Sequence, residues 1–376
     1  MKWSYKIGSI YGIPIKLHIT FLIILAVFIW IFANYEFTIF GIIIGFGGRD
    51  IPTWLKYVYG TIASVLFFST VFFHELSHSL VALRYGTKIR SITLFVLGGV
   101  AQMDDIPRDP RMEAKISVAG PALSLAIGLL TYAIYYIFGP VSPVSEPTIK
   151  NAVLIVIGII ALYNIILGVF NLIPAFPMDG GRILRALFAT RMSFVDATKK
   201  AVLVGKSFAI VMGVVGFFLN PILLLIAIFL YFGASEEEKA TIISITLEGI
   251  KVRNVMTSVP DVDYVPPDWT ITQLVEMTFE KKHMGYPVQE SQYSPVLGVV
   301  TFSDVRRIPP SERDTIRVRD VMTRELISIS PDADAFDGLK LMAGNNVGRL
   351  IVMEGEEIAG IVSRTDIMRA IHFRGA

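Results

Sequence analysis

The stretch VFFHELSHSL, residues 71–80, sets His74, Glu75 and His78 inside a long apolar run. The histidines are four apart, so a helix stacks them on one face and their ring nitrogens can share one ion. Glu75 falls beside that ion, where a carboxylate can take a proton from water. Counted from Arg84, read as an interfacial anchor, His78 lies six residues up and His74 ten. At the helical rise this is roughly 9 and 15 Å into a bilayer. A carboxylate at mid-membrane costs about 2.5–3.5 kcal/mol on insertion scales, which favours a metal site. A polar helix contact or an ion-pathway group is the plainer alternative.

The pattern is the HExxH arrangement of zinc proteases. A catalytic zinc needs three protein ligands and an open position. The only acid between Lys150 and Val195 is Asp179, in NLIPAFPMDGGRILRALF. Pro174 and Pro177 break the apolar span there, and irregular backbone around a cavity could turn Asp179 inward. Asp179 could equally cap a helix starting near Arg182, and the spacing leaves both readings open. His18 is another candidate ligand, but its place at a span entrance reads as an interfacial histidine.

These residues sit in a chain of 376, of which 53 % are hydrophobic, a composition that points to a membrane protein. The net charge of +2 argues for no nucleic-acid partner, and the absence of cysteine excludes disulfides and cysteine-ligated metal. Apolar character fills roughly the first 235 residues and then stops. Candidate spans are about 18–34, 56–83, 115–138, 150–171, 201–219 and 221–233. Phe37 to Phe46 is apolar but short and glycine-containing; it reads as an interfacial loop, with a seventh span as the alternative. Lys2, Lys6 and Lys16 precede the first span as in a signal peptide, but no small-residue cleavage site follows, so the span is read as retained. Six spans gather most of the lysines and arginines of the membrane part on one side, which predicts a multi-pass protein with both termini cytoplasmic. Residue 179 emerges on the same side as His78.

HELSH on a membrane helix, followed about a hundred residues on by NLIPAFPMDGG, with GGV at 98–100 and AGP at 119–121, resembles the site-2 protease family of intramembrane metalloproteases. The resemblance implies that His74, His78 and Asp179 bind one Zn2+ and that Glu75 is the catalytic base. It also implies that Asn171, which opens the N-x-x-P-x-x-x-x-D-G pattern, helps hold the substrate or the oxyanion; alone, Asn171 could be a helix-end hydrogen-bonder. Members of the family cut membrane-spanning segments of other, typically regulatory, proteins. A helical substrate must become extended to be cut. KIRSITLFVLGGVAQM reads as a hairpin turning at Gly98-Gly99, whose edge could add the substrate as a further strand or could serve packing alone. No PDZ insertion is recognisable.

After Gly233 the composition changes. ASEEEKATIIS reads as a helix-forming linker, and a soluble α/β part follows with an internal repeat. VRNVMTSVPDVDYVPP is echoed by VRDVMTRELISISPDA, and GVVTFSD at 298–304 by GIVSRTD at 360–366. The repeat looks like a tandem pair of CBS domains. In such pairs the aspartate commonly contacts a ribose and the hydroxyls contact phosphates. The resemblance thus points to Asp304 with Thr301 and Ser303, and Asp366 with Ser363 and Thr365, as sites for ATP or AMP. Many such pairs are only dimerising scaffolds, and an aspartate before a helix is also a cap.

The fold class expected is a polytopic α-helical membrane protein of about six transmembrane helices with a small β-hairpin element, plus a cytosolic α/β tandem CBS domain. The divisions expected are 1–234 for the metalloprotease, 235–249 for the linker, and 250–310 and 311–376 for the CBS domains. The expected partners are a transmembrane protein substrate, the lipid bilayer, an adenine nucleotide and a second copy of the chain bound through the CBS domains. Two readings compete with a zinc protease: a CBS-regulated transporter or channel, in which Glu75 and Asp179 line an ion path, and a metal-dead scaffold.

Overall fold

A computed structural model describes residues 3–96, 98–103, 108–138 and 149–375. They form two units, Met1–Lys239 and Ala240–Ala376.

The first unit runs β1 (Ser4–Ile10), β2 (Ile13–His18), α1 (Ile19–Asn34), β3 (Phe37–Ile39), β4 (Ile42–Ile44), α2 (Thr53–Arg84), β5 (Ile89–Phe95), β6 (Gly98–Met103), α3 (Pro110–Ile137), α4 (Ile149–Asn171), α5 (Asp179–Ala189), α6 (Phe194–Leu219) and α7 (Pro221–Thr246). Among the described residues α2, α3, α4 and α6 are long and apolar enough to cross a membrane. The first and last of the six expected spans fall short by that measure. Strand β2 takes the chain through His18, which leaves α1 with 16 residues, about 24 Å against a hydrocarbon core of about 30 Å. Helix α7 carries Glu236, Glu237, Glu238 and Lys239 in the same unbroken helix as its apolar start.

Helix α2 is central. Its first half packs on α1 through aromatic rings, Phe21 edge-on to Phe68 at 5.1 Å and Phe28 stacked on Phe67 at 5.4 Å. The 37–46 stretch is not an interfacial loop. It is the β3–β4 hairpin, with Ile42, Ile43, Ile44 and Phe46 buried in one core with Phe32, Ala63, Tyr135 and Ile155. The Ile43 N–H donates to the Tyr135 hydroxyl at 3.3 Å. A run of large apolar side chains gains more from that core than from the membrane surface.

The expected small hairpin is half of a four-stranded sheet, ordered β1-β2-β5-β6, with β2 and β5 parallel and the other pairs antiparallel. Gly98 and Gly99 do not form its turn. They open β6, opposite Phe95 and Leu94; residue 97 lies outside the described residues. Strand β6 is one edge of the sheet and packs near α2.

The second unit holds β7 (Thr257–Ser258), α8 (Ile271–Lys281), β8 (Gly285–Val288), β9 (Gly298–Thr301), α9 (Phe302–Val305), α10 (Val318–Val321), β10 (Ser328–Ile329), α11 (Ala335–Asn345), β11 (Arg349–Glu354), β12 (Glu357–Ser363) and α12 (Arg364–Gly375). The repeat is visible as α8-β8-β9-α9 against α11-β11-β12-α12. Helices α8 and α11 both end on a left-handed residue, Lys282 and Asn346. The two cores are laced together. Strand β7 pairs with β12, and Leu247 and Val252 are buried with Met342, Leu350 and Val362. In exchange Val318 packs with Val265, Leu274 and Tyr286.

Candidate active site

Helix α2 presents His74 and His78 on its buried face with their Nε2 atoms 3.2 Å apart. The loop after α4 folds back so that α5 begins at Asp179, whose Oδ2 lies 3.4 Å from His74 Nε2 and 3.1 Å from His78 Nε2. A β-carbon at Gly180 would stand 2.2 Å from the Ile173 carbonyl oxygen. The absence of a side chain there lets the start of α5 lie against the loop and aims Asp179 at α2.

Helix α3 orients both rings. His78 Nδ1 is 2.6 Å from the Ile116 carbonyl oxygen. A carbonyl only accepts, so Nδ1 carries the proton, and in the neutral ring Nε2 keeps its lone pair. His74 Nδ1 is paired with Ser124 Oγ at 2.9 Å, a hydroxyl that can donate or accept; when it accepts, His74 Nε2 also keeps its lone pair. Gly120 lies between those two contacts. A β-carbon there would stand 2.2 Å from His78 Nε2 and 2.6 Å from His74 Nε2. In that tautomer the rings face Asp179 with three acceptors converging, and acceptors at this spacing repel unless positive charge lies between them. Two ligands at about 2.0–2.1 Å on a tetrahedral zinc stand about 3.3–3.4 Å apart. The observed edges of 3.2, 3.4 and 3.1 Å fit such an ion.

Glu75 is half-buried and turns toward β6, where a β-carbon at Gly99 would come within 2.4 Å of its Cγ. Asn171 ends α4 and donates its Nδ2 to the Leu167 carbonyl at 2.9 Å, the helix-end role. His18 caps α1, accepting from the Thr20 N–H at 3.3 Å, and is not part of the His74–His78–Asp179 cluster.

In the second unit a cavity of about 580 Å³ is lined by Ser363, Thr365 and Asp366 and by residues of both repeats. Lys282, Arg349, Arg364 and Arg369 line it together with Asp261, Asp263 and Asp366. Arg349 also donates to the Gly285 carbonyl. Burial lowers its pKa, with Tyr286 and Asp366 opposing, and a guanidinium stays charged. Thr301, Ser303 and Asp304 do not line this cavity. Asp304 Oδ2 accepts from the Thr301 N–H and hydroxyl at 2.9 and 2.7 Å, and Asp366 Oδ2 from those of Ser363 at 2.9 and 2.5 Å. Each aspartate is the third residue of its own helix and reaches back to the residue that precedes the helix, Thr301 for α9 and Ser363 for α12, as in a capping box.

Residues 62–140 and 135–214 match the model of Peptidase family M50, and 252–311 and 318–373 match that of the CBS domain. Along 99 % of its length the chain is 36 % identical to Zinc metalloprotease MJ0392 of Methanocaldococcus jannaschii, covering 97 % of that protein. The chain belongs to peptidase family M50. The solved Site-2 Protease from Methanocaldococcus jannaschii shares 37 % identity over 63 % of this chain and 95 % of its own, with a TM-score of 0.42.

Membership decides among the readings left open by the sequence: the chain is an intramembrane zinc metalloprotease with a CBS pair. Sequence reasoning missed Ser124, the Ile116 carbonyl and the need for a side-chain-free residue at 120. The only signal for Gly120 was the AGP triplet, and a backbone carbonyl leaves no signal in residue type.

Proposed function

We propose that this M50 metalloprotease holds its zinc with His74, His78 and Asp179, uses Glu75 as general base, and cuts membrane-spanning segments of other, regulatory, proteins. The observation that carries the ligand set is the triangle of donor atoms with edges of 3.1–3.4 Å. When bound, zinc supplies a Lewis acid that lowers the pKa of a water toward neutrality and polarises the scissile carbonyl. Glu75 takes the proton of the attacking water and returns it to the leaving amine. Asn171 exchanges its bond to Leu167 for the developing oxyanion. The substrate enters as an extended segment added to the outer edge of β6. Glu75 rests on Gly99 of that strand, so a segment laid along it passes the base. The distribution of Lys and Arg supports cytoplasmic termini.

The divisions at 234, 249 and 310 separate protease, linker and the two CBS domains in this reading. The cavity of the second unit takes ATP or AMP: Asp366 offers Oδ1, which Arg369 Nη1 approaches at 3.9 Å, to ribose, Ser363 and Thr365 face phosphate, and Lys282, Arg349, Arg364 and Arg369 supply countercharge. Thr301, Ser303 and Asp304 form the corresponding site of the first repeat. The CBS pairs of two chains associate into a homodimer.

The test is metal analysis of the purified full-length protein beside cleavage of a membrane-spanning fusion substrate. One zinc per chain is expected, with cleavage abolished by a chelator and restored by added zinc. Asp179→Ala is expected to lose both metal and cleavage; a full complement of tightly held zinc in that variant rejects the ligand set.

A further inference from the structure

Arg185 lies six residues after Asp179 on α5, and only 4 % of it is exposed. Its Nε and Nη2 donate to Glu113 Oε1 on α3 at 2.9 and 2.5 Å, and its Nη1 to Glu237 Oε1 on α7 at 3.2 Å. The guanidinium also lies 5.0 Å from the ring centre of Phe176 and 4.8 Å from that of Phe194. Phe176 is fully buried in the loop that delivers Asp179. One side chain thus grips the turn carrying the third candidate ligand, the helix that follows it, and α3.

Helix α3 is where this matters. Glu113, Ile116, Gly120 and Ser124 follow at helical spacings of three and four, so they share a face. That face holds Arg185 at its first turn and both histidine rings further along. Helix α3 therefore acts as a ruler: the histidines are indexed to it through Ile116 and Ser124, and Asp179 through Glu113 and Arg185. Stability alone is a poor explanation. A buried ion pair is often no better than apolar residues of the same volume, and Glu113 Oε2 is buried without a hydrogen-bond partner among the described residues.

We infer that Arg185 is a positioning residue of the metal centre, one that fixes the Asp179 turn against α3 through Glu113. The inference rests on Asp179 being a ligand. Loss of the grip loosens one corner of the site without removing a donor. Metal should then leave faster and the ligand field should change, while the donor set stays complete.

The experiment uses full-length protein loaded with zinc or, in parallel, cobalt. It measures metal loss to a chelator, the visible spectrum of the cobalt form, and the melting temperature. Arg185→Gln is expected to release zinc at least about tenfold faster, the lower end for residues supporting a ligand, and to shift the cobalt bands. The double variant Glu113→Gln, Arg185→Met removes both buried charges. It is expected to regain the melting temperature but not metal retention. Arg185→Lys keeps the charge without the fork and, where Arg185→Gln does not fold, is measured instead with the same expectation of faster release. Wild-type release and spectrum in the single variants, or wild-type retention in the double variant, overturns the inference. Asp179→Ala is the control: if it holds zinc like wild type the ligand assignment is wrong, whereas its failure beside an unaffected Arg185→Gln removes only the positioning role.

Discussion

Asp179 Oδ2 stands 3.1 Å from His78 Nε2, although 100 residues separate them in the chain. The approach depends on the other nitrogen of the same ring. With Nδ1 committed to the Ile116 carbonyl at 2.6 Å, the ring cannot turn away, and Nε2 faces the carboxylate. His74 is held in the same manner by Ser124. The carbonyl cannot be removed by substitution, but the hydroxyl can. Ser124→Ala should lower zinc affinity by about 10- to 100-fold, as for other partners of ligating histidines, with the fold intact. Competition against a chelator measures it, and an unchanged affinity means that His74 needs no orienting partner.

Gly120→Ala should be far more damaging than its size suggests. The added carbon falls 2.2 and 2.6 Å from the two imidazole Nε2 atoms, inside any permitted contact. Helix α3 must retreat or the rings must rotate, and either opens the donor triangle. Forced overpacking typically costs about 1–3 kcal/mol. We expect a lowered melting temperature together with loss of stoichiometric zinc. A Gly120→Ala protein that keeps one zinc and its cleavage activity contradicts the packing described for α3.

The proposed base can be separated from the metal. Glu75→Gln removes the proton acceptor but leaves the His74–His78–Asp179 triangle unaltered. Zinc content should stay at one per chain while turnover falls by about 10²–10⁴-fold, the usual contribution of a general base. Gly99→Ala reaches the same end from β6: its new carbon would meet Glu75 Cγ at 2.4 Å, displacing the carboxylate and slowing cleavage with zinc retained. Loss of zinc from Glu75→Gln would instead make Glu75 a ligand.

What was legible in the sequence follows from how far each signal reaches. The spacing of His74 and His78 is a local helical relation, so the pair could be read from residue types alone. Asp179 stood out because it is the one acid in a long apolar stretch, yet only the fold brings its carboxylate to the histidine pair. The β3–β4 hairpin was misread because Ile42, Ile43 and Ile44 make a run without alternation, which gives no periodicity to tell a buried strand from an interfacial loop. Strands β1 and β2 were hidden by the basic residues among them, and Arg185 looked like one more positive charge near the membrane edge. Its burial depends on Glu113 and Glu237, partners 72 and 52 residues away, and distance of that kind leaves no trace in composition. The laced cores of the second unit were invisible for the same reason: Val252 and Val318 look like ordinary members of their own repeats.

The second unit gives a prediction that separates ligand binding from capping. Asp366 uses Oδ2 to cap α12 through Ser363 and lines the cavity beside Arg349 and Arg364. An asparagine at 366 keeps one acceptor oxygen for the Ser363 N–H and hydroxyl, but it lacks the charge and the second acceptor oxygen that a pair of ribose hydroxyls would use. Asp366→Asn should therefore leave the stability of the full-length protein within about 1 kcal/mol of wild type, the scale of one hydrogen bond, while removing the part of the calorimetric heat of ATP or AMP binding that comes from this cavity. Asp304→Asn, whose site lies outside this cavity, should spare binding there. Wild-type protein that releases no heat with either nucleotide removes the binding proposal, and equal heat from Asp366→Asn would place the nucleotide elsewhere.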